Sequence, residues 1–298
     1  MKSLFYLPLW FFKARILGIK RPLQTVLFIS DKCNLACKHC SVYRTTNPNI
    51  KSYEQIREEL KYAYRLGSRF VDFEGGEPTM WRDGEKDLNS LIRLSKEIGF
   101  YSATMTTNAF MPFAGSEADS IWVSLDGLGE YHNDIRGKGV FERLVKHIEE
   151  ANHPRISVNM VINSRNYTSV GDTIEFARSN PNIQSISLNF HNPYPGTEHL
   201  FLDWETRAHV IDFIIQKKKA GYPIMNSVSG LKLMKEPASF KKECWVSNFI
   251  LSDGRRLTEC AGKTAGLCDS CGLSMSGEMR SVFSLKPDTI FAGMKLRM

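Results

Sequence analysis

The sequence lacks several features that would direct a function. It has no apolar run long enough to span a bilayer, which takes ~20 residues; the run over residues 4–12 is short and is interrupted by Pro8. No A-x-A-like cleavage site follows that run, so it does not read as a secretory signal. No basic block exceeds Lys217-Lys218-Lys219, so the net charge of +7 and the pI of about 9.0 describe a mixed, solvated surface. Nucleic acid is not an expected partner. No tandem repeat or low-complexity tract is present. Gly262-Lys263-Thr264 ends like a phosphate loop, but that loop needs glycine at position 257, where Leu257 stands. Asn166-Tyr167-Thr168 has the form of a glycosylation acceptor, yet nothing directs the chain through a secretory path.

What the chain does have is cysteine in two groups. Cys33, Cys37 and Cys40 lie in Ser30-Asp31-Lys32-Cys33-Asn34-Leu35-Ala36-Cys37-Lys38-His39-Cys40. Three thiols within eight residues form no sensible disulfide set, and seven in 298 residues do not make a disulfide scaffold. They can converge on one metal centre. Three thiolates on a cubane of iron and sulfide leave one iron open to an outside ligand. Structural zinc instead takes a closed set of four ligands, usually with C-x2-4-C pairs. Zinc is therefore the weaker reading of this loop, as are three unrelated buried thiols.

At 298 residues the chain has room for one large α/β domain and a small appendage. From residue 24 onward strand-like and helix-like segments alternate. Strands are expected at 25–30, 69–74, 100–107, 121–126, 156–162 and 183–190, and helices at about 52–66, 86–98, 140–151, 168–179 and 203–219. Six such units imply right-handed crossovers and a parallel sheet, fewer than the eight of a closed barrel. Chemistry in such folds gathers at the carboxyl ends of the strands, and the unusual residues fall there. After the second strand comes Glu74-Gly75-Gly76-Glu77-Pro78-Thr79, whose paired glycines let a backbone approach a ligand closely. The third strand ends at Asn108 and the fourth in Ser124-Leu125-Asp126-Gly127; the fifth carries Asn159 and leads to Asn163. Any one of these polar groups could equally cap the following helix.

The C-x3-C-x2-C loop, with Asn34 after the first cysteine and His39 before the third, resembles the signature of the radical S-adenosylmethionine (SAM) enzymes. The likeness runs over about residues 24–275. Gly75, Gly76, Glu77 and Pro78 match a Gly-Gly-Glu-Pro segment one unit later. Ser124-Leu125-Asp126-Gly127, followed by Tyr131-His132 and Ile135-Arg136-Gly137, is similar to the S-L-D-G…H-D-x-x-R-G stretch of peptide-modifying members, with Asn133 in place of Asp. The resemblance implies an α/β fold, a partial (β/α)6 TIM barrel, with a [4Fe–4S] cluster on Cys33, Cys37 and Cys40 whose open iron chelates SAM. It also implies that Gly75, Gly76, Glu77 and Pro78 contact SAM. Asn108, Ser124, Asp126, Arg136 and Asn159 would border the same pocket, Arg136 being suited to a two-pronged bond with a carboxylate. The implied reaction is reductive cleavage of SAM to a 5′-deoxyadenosyl radical that takes hydrogen from an unactivated carbon, after an electron donor such as flavodoxin or ferredoxin charges the cluster. No residue is assigned as a catalytic acid or base, and His132 reads as a loop-packing histidine.

Cys244, Cys260, Cys268 and Cys271 form the second group, with Ser252-Asp253-Gly254 as a hairpin signal between the first two. This unit is similar to the twitch or SPASM auxiliary-cluster domain, although five rather than four residues separate Gly254 from Cys260. The resemblance implies a second [4Fe–4S] cluster closed by four thiolates, serving electron transfer or structure. On spacing alone a four-cysteine zinc ribbon stays open. The expected organisation is an amphipathic segment at 1–21, the barrel at 22–235, and a small auxiliary-cluster domain at 236–298. The first segment joins its apolar run to Lys13, Arg15, Lys20 and Arg21. That pattern suits an interfacial helix, and equally a helix packed under the domain. The expected setting is a reducing cytosol, with peripheral membrane contact through residues 1–21 as one reading. A peptide or protein side chain is the expected substrate, with a lipid or membrane-derived molecule as the alternative and a non-catalytic iron–sulfur or zinc module as a remote third.

Overall fold

A computed structural model describes residues 2–40, 47–237 and 240–297, with side chains from residue 5 to residue 294 of those segments. Helix α1 (Lys2–Arg15) precedes β1 (Gln24–Phe28). The alternation then follows: α2 (Tyr53–Leu66), β2 (Phe70–Glu74), α3 (Leu88–Ile98), β3 (Ser102–Thr107), β4 (Ser120–Ser124), α4 (Glu130–Arg136), α5 (Val140–Ala151), β5 (Ile156–Ile162), α6 (Val170–Ser179), β6 (Ile183–Phe190) and α7 (Trp204–Lys219). The chain closes with α8 (Val228–Leu233), β7 (Ser247–Ile250), β8 (Arg256–Leu257), α9 (Ala261–Thr264), α10 (Ser274–Phe283) and α11 (Pro287–Arg297).

Local chemistry sets the boundaries. The Ser52 hydroxyl accepts from the Gln55 N–H to start α2, and Asp87 and Ser90 form a reciprocal capping box at α3. Along each strand one face carries buried aliphatics, among them Leu27, Phe73, Met105, Val123, Val158 and Leu188, packed under Ile56, Leu60, Leu91 and Ile92 of the helices. Each fully buried side chain of this kind contributes ~1.5–3 kcal/mol. The other face is half-buried and polar. There Thr104 donates to Asp72 at 2.8 Å, and Asn189 to Asn159 at 2.6 Å, across neighbouring strands.

Among the described residues one sheet of eight strands runs in the order β6-β5-β4-β3-β2-β1-β7-β8. β1 through β6 are parallel in chain order, the expected partial (β/α) barrel. The segment after residue 236 does not stand apart from it. β7 pairs in parallel with β1, from Gln24 opposite Ser247 to Leu27 opposite Ile250, and β8 folds back on β7 as the expected hairpin. The edge of β1 would otherwise present unpaired backbone groups. The short strand occupies them, helped by a bond from Gln24 to Ser247 at 3.0 Å.

α1 lies under the amino ends of the strands. Trp10 and Ala14 are buried with Leu23, Phe70, Val246 and Phe283, and the Trp10 ring N–H donates to the Arg21 carbonyl at 2.8 Å. The packed reading of the first segment therefore holds for this face. No described helix is long and apolar enough to cross a membrane.

Candidate active site

The cysteine loop leaves β1 and is pinned against the end of β2 by backbone bonds. Ile29 N–H donates to the Glu74 carbonyl at 3.0 Å, Gly76 N–H to Ser30 at 2.7 Å, and Glu77 N–H to Lys32 at 2.9 Å. Side chains at the two glycines would destroy this contact. A Cβ on Gly75, which has φ +151°, would stand 2.2 Å from the Ser30 carbonyl oxygen, and one on Gly76 2.2 Å from that of Lys32. The close approach expected of these glycines is thus made first to the cysteine loop itself.

The Glu77 side chain serves the fold. The carboxylate is buried and accepts from Thr79 N–H at 3.1 Å, Thr79 Oγ1 at 2.6 Å, Thr107 Oγ1 at 2.7 Å and Asn108 N–H at 2.8 Å. It ties the ends of β2 and β3 together, and its oxygens are committed to the fold. Burial raises its pKa, and the hydrogen bonds only partly offset that. Pro78 is buried at the start of the 3-10 turn that follows. Asn108 extends the brace into the loop, its side-chain N–H donating to Asn34 Oδ1 at 2.8 Å and lying 3.8 Å from Cys33 Sγ.

Asp126 and Arg136 form a second brace. Asp126 is fully buried and accepts from Arg136 Nε at 2.7 Å and from Val161 N–H at 2.9 Å. Burial alone would raise the Asp126 carboxyl, but Arg136 beside it holds it below its ordinary range. Arg136, a pocket candidate suited to a carboxylate, meets that of Asp126 through Nε, as a charge buried this deeply requires a partner. Its Nη1 reaches 3.9 Å from Cys37 Sγ, placing positive charge beside a prospective ligand. His132 behaves as a packing histidine: it is buried, accepts the Asp126 N–H at 3.1 Å, and burial lowers its pKa to about 3. Ser124 ends β4 opposite Asn159 of β5, on the half-buried face.

The donor set of the loop fits a cluster with three thiolate ligands. Cys37 is buried, and burial pushes its thiol up to about 11; burial also raises Cys33. Thiols so placed keep their protons at neutral pH until a metal binds the thiolate and the proton is released. Asn34 Nδ2 and His39 Nδ1 are buried in the same loop without a hydrogen-bond partner in the protein, and the Asn34 amide N–H is a donor that a cluster sulfide could accept. Among the described residues no three His, Cys, Asp or Glu side chains are arranged around a single ion.

The second cysteine group rests on short turns. Cys244 opens the 3-10 turn before β7, Cys260 precedes α9, and Cys268 and Cys271 flank another 3-10 turn. A bond from the Cys244 thiol pulls Cys260 down to about 6 and raises Cys244. Cys268 and Cys271 stand near enough for their charges to act on Cys244.

Three neighbours escaped the sequence reading. Arg207 of α7 is buried, donates to the Cys271 carbonyl at 2.8 Å, stacks over the Phe190 and Trp204 rings, and leaves Nε and Nη1 without a hydrogen-bond partner. Tyr194 lies close enough to Cys260 and Cys271 for their charges to raise its pKa further, although burial is the larger cause. The His191 ring sits 6.5 Å from that of His39, at the side of the first group. None belongs to a spaced motif, so only folding reveals them.

The strand-end cysteine loop on a partial parallel barrel defines a class of cluster-dependent enzymes, and the comparisons name it. Residues 27–177, 151 of 298, match the Radical SAM superfamily, and the chain belongs to it. Its enzymes use SAM and a [4Fe–4S] cluster. The probable GTP 3′,8-cyclase of Saccharolobus islandicus is 31% identical over 173 residues, covering 53% of this chain and 54% of that protein. The one from Archaeoglobus fulgidus is 31% identical over 196 residues, covering 60% and 63%. The chain therefore spans about half the length of the first of these curated relatives. Streptococcus suis SuiB bound to S-adenosylmethionine superposes with a TM-score of 0.66 at 18% identity, over 99% of this chain and 72% of that one. The anSMEcpe structure with bound AdoMet and peptide gives 0.63 at 17%, over 93% and 83%. These two likenesses show the fold.

Proposed function

We propose that Cys33, Cys37 and Cys40 hold the [4Fe–4S] cluster and that the chain abstracts hydrogen from an unactivated carbon of a peptide or protein side chain. The observation that carries the reading is the loop itself, three thiols beside unpartnered buried nitrogens of Asn34 and His39, fixed by backbone contacts to the end of β2. With SAM and an electron from a donor such as flavodoxin or ferredoxin, the cluster supplies reductive cleavage of the sulfonium and the 5′-deoxyadenosyl radical. The chain's own residues do the positioning. Gly75, Gly76 and Glu77 fix the loop, and Arg136 sets a positive charge beside Cys37. Asn108, Ser124 and Asn159, at or near the strand ends, are the proposed contacts for SAM.

Cys244, Cys260, Cys268 and Cys271 are proposed to hold an auxiliary [4Fe–4S] cluster, with residues 236–298 as a functional unit even though β7 shares the barrel's sheet. Support for a peptide substrate is that second cysteine group, the Ser124–Gly137 stretch, and the fold shared with SuiB and anSMEcpe, whose structures include peptides. A lipid-derived substrate is the second reading, favoured by the exposed apolar residues of α1. A reducing cytosol suits the seven free thiols.

The test is anaerobic reconstitution followed by reduction in the presence of SAM. Formation of 5′-deoxyadenosine is expected from the wild type and not from Cys33→Ala, Cys37→Ala or Cys40→Ala; normal formation in those variants overturns the assignment. About eight irons per chain supports two clusters, whereas about four irons with one zinc would replace the auxiliary cluster by a zinc ribbon.

A further inference from the structure

Beneath the barrel, at the end opposite the cysteine loop, lies a cavity of about 480 Å3. That volume falls within the ~300–1,000 Å3 of small-molecule sites. Its wall reaches the inner face of the sheet at Trp122 and Ser187, and α1, α10 and α11 enclose it. Met225, Met275, Met279 and Met294 contribute a soft, adaptable lining.

The polar groups on its border are turned toward the protein. Gln24 donates to Ser247, Asn226 bonds both backbone groups of Leu188, Glu278 accepts the Ser227 N–H, and Thr289 donates to Ser227 Oγ. The surface left for a guest is hydrocarbon and thioether. Water gains little there, and an apolar chain gains much.

The mouth is marked by Pro8 of α1 and Met294 of α11, which line the cavity and are exposed. Beside it α1 turns a second apolar face to solvent. Phe5, Leu9, Phe12 and Ile16 are 81%, 51%, 50% and 63% exposed, and Phe291 of α11 is 70% exposed. The spacing i, i+4, i+7, i+11 places the four on one stripe. A helix already anchored through Trp10 and Ala14 has no folding reason for such a stripe. No acidic residue precedes Asp31, while Lys13, Arg15, Lys20 and Arg21 are exposed. Apolar side chains with unopposed positive charge complement an anionic lipid surface, and repel a second copy of the same face.

We propose that this cavity takes the acyl chain of an anionic amphiphile, entering from a bilayer surface on which α1 lies. The site is separate from the strand-end chemistry and does not rest on it.

The full chain is tested with two probes. A dibrominated stearate quenches tryptophan on contact, and Trp10 and Trp122 line the cavity. Quenching is expected to saturate, and Gly293→Phe to weaken stearate binding by about tenfold or more. Gly293 lines the cavity and a Cβ there meets nothing within 4 Å, so a side chain at this position leaves the fold undisturbed. Flotation is expected with vesicles of phosphatidylcholine and phosphatidylglycerol, and not with phosphatidylcholine alone. The triple change Phe5→Ser, Leu9→Ser, Phe12→Ser should abolish flotation while stearate quenching persists. Quenching that never saturates, or is equal in Gly293→Phe, overturns the cavity assignment. Flotation indifferent to phosphatidylglycerol, or a dimer that blocks flotation by covering α1, overturns the lipid occupant.

Discussion

The two cysteine groups are held by different means. Cys33, Cys37 and Cys40 sit on a loop that the sheet itself fixes, through backbone contacts at two glycines, a fully committed Glu77 and the Asp126–Arg136 pair. Cys244, Cys260, Cys268 and Cys271 sit on short turns hung from a two-strand ribbon, with Arg207 and Tyr194 as neighbours. On the proposed assignment, the difference follows from the number of ligands. A centre with four thiolates defines its own geometry, whereas one with three must be aimed by its surroundings if an outside ligand is to reach the open iron.

That contrast breaks most sharply when one ligand is removed from each group. Cys37→Ala is expected to abolish 5′-deoxyadenosine formation, whereas Cys268→Ala should keep SAM cleavage while iron falls from about eight to about four per chain. Equal loss from both variants would mean that the centres are not independent. A smaller effect is expected at the glycines. Gly76→Ala forces the Lys32 carbonyl to move and should cost ~1–3 kcal/mol in a denaturant titration, because the added Cβ starts 2.2 Å away. Gly262→Ala, beside Cys260, meets its nearest atom at 3.6 Å and should stay within ~0.5 kcal/mol of wild type. Parity between the two would remove the bracing argument. Glu77→Gln replaces a carboxylate that accepts four hydrogen bonds, and a loss of ~1–3 kcal/mol is expected by the same titration.

A pH-dependent effect lies on the inner wall, at the end of β2. Burial, then the neighbouring Asp72, raises the Glu74 carboxyl from 4.5 to about 8. The folded chain thus keeps a proton that the unfolded chain releases near 4.5. The resulting stability is full below that value and is lost as pH rises through about 8. Glu74→Gln should flatten the melting temperature across this window; an unchanged slope would place the titration elsewhere.

Much of this was legible in the sequence because it is local. The spacing of Cys33, Cys37 and Cys40, and the periodicity that places β5 at Ile156–Ile162 and α5 at Val140–Ala151, depend on neighbours along the chain. The hairpin at Asp253-Gly254 was legible for the same reason. What stayed hidden depends on distant partners. Ser247–Ile250 reads only as one arm of a hairpin, and its place beside β1 is set by an edge more than two hundred residues earlier. Arg136 reads as a pocket arginine, and its pairing with Asp126 shows only in the fold. Glu77 reads as part of a SAM motif, and the bracing role of its side chain shows only when Thr107 and Asn108 are placed around it. α1 fits either a core helix or a surface one because it is apolar on two faces, of which the fold covers one.

The central claim is that the three-cysteine loop alone meets SAM. Its most direct measurement is the electron paramagnetic resonance spectrum of reduced, reconstituted protein carrying Cys244→Ala and Cys268→Ala, recorded with and without SAM. One [4Fe–4S] signal that changes when SAM is added is the predicted result. A signal indifferent to SAM, or no cluster at all in that variant, would contradict it.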